Sequence, residues 1–201
     1  MFSARDGYLI KQLYDNIPVC YCRDILPEGL YFYVSRVACS KVAIMNDKDI
    51  KWIAGPKCQG SMEKVVRERY EIAYLNTKNT ITKDEELLDY AMLNQECIYK
   101  KSKTIRENFL SYINKLGIKD GKKYALFDLV SCGSCQFFLN QVMPVELEGV
   151  YCCLYNSYEE QKAKLPIHSY FYNNHPRNPE SNLFENYLQL EVIMTSYEPS
   201  I

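Results

Sequence analysis

The stretch YALFDLVSCGSCQFFLNQVM, residues 124–143, decides the fold. Tyr124 to Val130 is an apolar, aromatic-rich run with the composition of a buried strand, broken by one acid, Asp128. Ser131, Cys132, Gly133 and Ser134 are small and turn-prone, and Phe137, Phe138, Leu139 and Val142 then follow as a helix. A strand, a tight turn and a helix N-terminus in direct succession make a site. The first N–H groups of a helix have no partner inside it and are left to bind something else.

Downstream, Pro144 ends this helix. Gly149 to Tyr155 reads as a buried strand, Tyr158 to Lys164 as a helix, His168 to Tyr172 as another strand, and Leu183 to Met194 as an amphipathic closing helix. Upstream the character is helical. Asp47 to Trp52 and Ser61 to Leu75 read as helices, the second capped by Ser61, and Thr82 with Glu85 has the spacing of a capping box. Ile105, Phe109, Ile113 and Leu116 carry a further helix closed by Gly117, and Lys100 to Lys103 reads as a solvated joint. Near the start, Asp6 caps a helix through Tyr8, Leu9, Leu13 and Tyr14 that Pro18 ends. Leu30 to Val34 reads as a strand running into Ser35-Arg36, and Val37 to Met45 as a helix. The strand expected before Arg5 is all but missing. The pattern predicts an α/β, Rossmann-like, mostly parallel sheet built from residues 1–46 and 118–201, with a helical insertion at 47–117. Such sheets bind ligands at the carboxyl ends of their strands, which singles out Arg5, Asp6 and Arg36 beside the 131–136 turn.

Composition narrows the class. The 201 residues carry 24 Lys+Arg against 25 Asp+Glu, a net charge of −1, which argues against a nucleic-acid protein. No apolar run approaches the roughly 18 residues of a membrane span. The N-terminus, MFSARDGYLI, has charges where a secretory signal needs an apolar stretch. Nine cysteines, an odd number, are then read as mostly reduced in a cytoplasmic protein.

Three constellations carry chemistry. Cys132-Gly-Ser-Cys135 between a strand and a helix is the setting in which thiol-disulfide oxidoreductases hold their redox pair, and Pro166 precedes a strand as in such enzymes. Against that reading, the fold needs a hairpin after the proline, where this chain has Asn173-Asn174-His175-Pro176. A zinc site is not supported, because the cysteine pairs have unlike spacings and His168 and His175 share no helical face. Asp128 is an acid inside an apolar strand, which is costly unless it is bonded. It reads either as a carboxylate satisfied by turn amides or an arginine, or as a catalytic or metal-holding acid at the sheet's carboxyl edge.

Four stretches together resemble a domain of bacterial capsule and lipopolysaccharide biosynthesis proteins, described as HAD-superfamily-like or glycosyltransferase-associated. They are Phe2-Ser-Ala-Arg5-Asp6-Gly7-Tyr8-Leu9, Tyr33-Val-Ser-Arg36, Asp128-Leu-Val-Ser131-Cys-Gly133-Ser134-Cys-Gln136, and Leu190-Glu191 with Thr195-Ser-Tyr-Glu-Pro-Ser200. The resemblance spans nearly the whole chain. It implies a Rossmann-like, HAD-like fold with a helical insertion, and a phosphorylated sugar or nucleotide-sugar as ligand. It implies Asp128 and Asp6 as catalytic acids, and Arg5, Arg36, Ser131, Gly133, Ser134 and Gln136 as ligand-binding residues. It also implies Mg²⁺ as a possible cofactor and a partner domain or glycosyltransferase. HAD phosphatases hold Mg²⁺ with two aspartates spaced two apart, and position 130, where the pattern also expects glycine, is Val. The chain also stops where relatives continue, as a fragment or shortened form would. A non-catalytic binding module with a degenerate site is therefore the alternative, with the thiol-disulfide oxidoreductase as a third.

Overall fold

The computed structural model describes residues 1–3, 6–20, 26–55, 61–75, 85–155 and 165–173, with Gln189 and Val192 besides. They fall into two compact units. An α/β unit comprises Met1–Ser35, Asp120–Asn140 and Pro144–Ile201; a helical unit comprises Arg36–Lys119 and Gln141–Met143. In chain order the elements are β1 (Phe2–Ser3), α1 (Asp6–Cys20), β2 (Tyr31–Phe32), α2 (Arg36–Ala43), α3 (Asp47–Ala54) and α4 (Met62–Tyr70). Then come α5 (Glu85–Leu93), α6 (Gln95–Lys115), β3 (Tyr124–Ser131), α7 (Ser134–Val142), β4 (Leu147–Tyr155) and β5 (Ile167–Asn173).

The α/β unit is built on five strands in the order β2-β1-β3-β4-β5. Every pairing is parallel. The strand expected to be missing before Arg5 is present. It has two residues and lies inside the sheet, bonded on both sides: Phe2 N–H donates to Leu30 O (2.8 Å) and Phe127 N–H to Met1 O (2.7 Å). Strands β3 and β4 are long and covered, with Leu126, Leu147, Tyr151 and Cys153 at most 1% exposed. These four side chains share one face; on the other, Leu129 and Leu154 are buried while Ala125 and Glu148 are exposed, so the runs read as continuous only toward the strands' carboxyl ends, where both faces are covered.

Crossovers β1-α1-β2 and β3-α7-β4 step along the sheet in opposite directions. Parallel crossovers are right-handed, so α1 and α7 cover opposite faces. The side chains agree. On one face Phe2 meets the rings of Tyr14 in α1 and Phe127 in β3, at 5.0 and 5.7 Å. On the other, Tyr151 Oη donates to Gln136 Oε1 of α7 (2.9 Å). Helix α1 continues past Pro18 to Cys20. A proline in the last turn removes only one backbone bond, too little to stop a helix about to end. The expected helices at 158–164 and 183–194 and the Thr82 cap lie outside the described residues, Gln189 and Val192 excepted.

The helical unit begins at Arg36, earlier than the expected residue 47, because α2 is tied to α6. Ser102 Oγ donates to the carbonyls of Lys41 (2.6 Å) and Ile44 (2.9 Å), and Arg106 Nε donates to Val42 O (2.7 Å). These are carbonyls that a helix end leaves without a backbone donor. Lys100 to Lys103 is accordingly no joint. It lies within α6, with Ser102 buried and Lys101 paired to Glu71 at 3.1 Å. Asn46 and Asp49 form a capping box on α3, and Ser61 caps α4 as expected. Helix α6 closes with the bonds Gly117 N–H to Asn114 O (3.0 Å) and Ile118 N–H to Ile113 O (3.3 Å). That pair is the Schellman pattern, and both isoleucines are buried, as its apolar contact requires. Ile50, Val66, Leu87, Ala91, Ile98 and Ile113 are fully buried and form this unit's core.

Candidate functional site

In an open parallel sheet, the crevice for a ligand lies where neighbouring strands send their crossovers in opposite directions, at the strands' carboxyl ends. Here those neighbours are β1 and β3. Their carboxyl ends lead to Asp6, the first residue of α1, and to the Ser131–Ser134 turn before α7.

Asp128 sits beside this point. Phe2 is in register with Phe127, so Asp128 is level with Ser3, the last residue of β1. Strand β3 itself runs on to Ser131. The acid therefore stands at the sheet's edge relative to β1 but inside the strand relative to β3. It is half-buried and shares its row with Tyr151.

The turn is shaped by its small residues. Ser131 Oγ accepts from Gly133 N–H (3.1 Å), and Gly133 takes φ 77°, a left-handed conformation that favours glycine. Gly133 O accepts from Phe137 N–H (3.0 Å), the first bond of α7. The N–H groups of the following residues therefore open the helix and carry its positive end. Ser134 is buried, with its hydroxyl 2.8 Å from Cys132 Sγ.

Gln136 has a different place from the one expected of a ligand-binding residue. It is fully buried, and its Nε2 donates to Leu147 O (2.8 Å) and Pro166 O (2.9 Å) while its Oε1 accepts from Tyr151. This amide joins α7 to the starts of β4 and β5. Gly149 leaves the room it needs: a Cβ there would run into Gln136 Oε1 and the Tyr151 ring. The sequence carried a usable signal for this network, since a lone glycine inside an apolar strand marks a close approach.

The remaining candidates separate. Asp6, Asp128, Ser131, Gly133 and Ser134 all belong to the α/β unit, whereas Arg36 opens α2 in the helical unit and is exposed. Arg5 lies outside the described residues. Among the described residues, no group of three or more His, Cys, Asp or Glu side chains stands together as a metal site. The donors for the Mg²⁺ that the resemblance implies are thus not assembled in this part of the chain. Cys153 is buried beside Cys152. Burial, then the neighbouring Cys152, pushes its thiol up to about 11, which makes it a packing residue and no nucleophile.

Comparison of the chain with protein-family models, with curated proteins and with solved structures found no match. No helix among the described residues is long and apolar enough to cross a membrane.

Proposed function

We propose that the α/β unit is a HAD-like domain that binds the anionic group of a phosphorylated sugar or nucleotide-sugar, in cytoplasmic synthesis of a bacterial surface polysaccharide. The observation that carries this reading is the all-parallel order β2-β1-β3-β4-β5, with its change of crossover direction between β1 and β3. Asp128 and a glycine turn at a helix N-terminus stand at that point, a combination suited to an anionic oxygen and a proton donor or acceptor. The polysaccharide context rests on the four sequence motifs. Arg5 is the cation that the resemblance proposes to pair with the ligand. No step is routed through Mg²⁺.

Crystals soaked in phosphate or sulfate are expected to hold the anion against the amides of Ser134 and Cys135. Anions only on surface lysines would refute the reading. Whether Asp128 does chemistry is tested by hydrolysis of phosphorylated sugars. A catalytic acid predicts a fall of about 10²–10⁴-fold in Asp128→Asn. Equal background rates in both proteins would favour a non-catalytic binding module, which the absence of a second carboxylate at Val130 supports. The thiol-disulfide oxidoreductase is the less favoured alternative, because the strand after Pro166 runs parallel to β4 instead of opening a hairpin.

A further inference from the structure

The head of α7 carries two thiols that the anion reading does not use. Cys132 and Cys135 flank Gly133-Ser134, and both are half-buried. They are three residues apart across the turn that opens a helix. That spacing lets two Cα atoms approach the roughly 4.4–6.8 Å a disulfide needs. Cys132 lies just ahead of the helix, where the unbonded N–H groups favour a negative charge, and its Sγ is 2.8 Å from Ser134 Oγ, a hydroxyl able to donate to a thiolate. No other described pair has this arrangement. Cys152 and Cys153 are adjacent in β4 rather than across a helix-opening turn, and Cys153 and Cys39 are buried.

We propose that Cys132 and Cys135 form a reversible dithiol–disulfide site that exchanges with low-molecular-mass disulfides, with Cys132 as the attacking thiol. The Cys132 thiolate attacks one sulfur of a small disulfide, forming a mixed disulfide and releasing one thiolate with the electron pair of the broken S–S bond. The Cys135 thiolate then attacks the Cys132 sulfur and displaces the second thiolate. The two cysteines lose two electrons, the small disulfide gains them, and the two cysteine protons end on the two released thiols. This chemistry stands apart from anion binding. It is a modification site on the same turn, and it requires no enzyme of the thioredoxin fold.

The test is a titration of the full chain against reduced and oxidised glutathione, followed by acid quenching and intact mass measurement. Chymotryptic mapping then separates Cys132 and Cys135 from Cys152 and Cys153, since Phe137, Phe138 and Tyr151 lie between the pairs. The expected result is the loss of two hydrogens in one two-electron transition, mapped to a Cys132–Cys135 cross-link and reversed by dithiothreitol. Cys135→Ser is expected to trap glutathione on Cys132 instead. Stable glutathione adducts on both cysteines of the wild type, or cross-links only elsewhere, would overturn the proposal without reference to any variant. Phosphate binding measured on the reduced protein is a separate readout, so failure of the redox site and failure of the anion site are distinguishable.

Discussion

Gly7 shows how a single residue positions the site. A Cβ on Gly7 would lie 2.6 Å from the carbonyl carbon of Phe2 and 2.9 Å from its oxygen. The obstacle is backbone, so the first turn of α1 comes this close to β1 only with glycine there. Alanine is the better helix former by about 1 kcal/mol. Forced contact costs about 1–3 kcal/mol. Gly7→Ala is therefore expected to lower stability in urea unfolding despite its higher helix propensity, and an unchanged or raised midpoint would contradict the packing described. Glu71 makes a second case, in the helical unit. It caps α4 with φ 57° and holds Lys101 at 3.1 Å and Lys41 at 3.2 Å. Burial pushes its carboxyl up, but the hydrogen bonds and charges of Lys101 and Lys41 outweigh this and set it below the ordinary carboxylate value. A carboxyl lowered on folding contributes stability above its unfolded pKa and loses it as pH falls through its folded pKa. Glu71→Gln is thus expected to cost stability at neutral pH and almost none in acid below the folded pKa. With the side chain 43% exposed, the cost is at most about 1 kcal/mol. Urea midpoints at the two pH values check it.

At the scale of elements, the tie between α2 and α6 makes the sharpest prediction. Ser102→Ala removes the hydroxyl that satisfies the carbonyls of Lys41 and Ile44 at a buried position. Ile44 O keeps Arg106 Nη2 as a donor, so the change costs the Lys41 carbonyl its hydroxyl donor, about 1–3 kcal/mol, and the loss should appear in the unfolding midpoint with little change in its slope. Nothing in the sequence announced this tie, because it joins residues 58 and 61 positions apart through a serine that reads as surface. That is why the lysine-rich segment around it looked like a joint. Local signals fared better. Ser61 and Gly117 act at helix ends as capping chemistry requires, and the strand at Tyr124 followed by the helix at Ser134 was legible from apolar runs split by small residues. β1 was less legible. Two residues carry no periodicity, and only bonding from both neighbours makes them a strand.

At the scale of the whole chain, the parallel sheet with helices agrees with the α/β class read from the sequence, and the helical unit of the structure starts at Arg36. The candidate site was legible in part. Asp128 lies in β3 level with the end of β1 and the Gly133 turn follows β3, but Gln136 turns inward to bond the starts of β4 and β5, a role that depends on Gly149, Tyr151 and Pro166 far along the chain. The central claim is that the amides at the head of α7 receive an anionic group. Backbone amide shifts recorded during titration with inorganic phosphate, and then with a nucleoside-diphosphate sugar, test it most directly. Saturating shifts concentrated at Gly133, Ser134 and Cys135 are the predicted result. An absence of shifts there, with changes confined to exposed lysines such as Lys64 and Lys119, would contradict it.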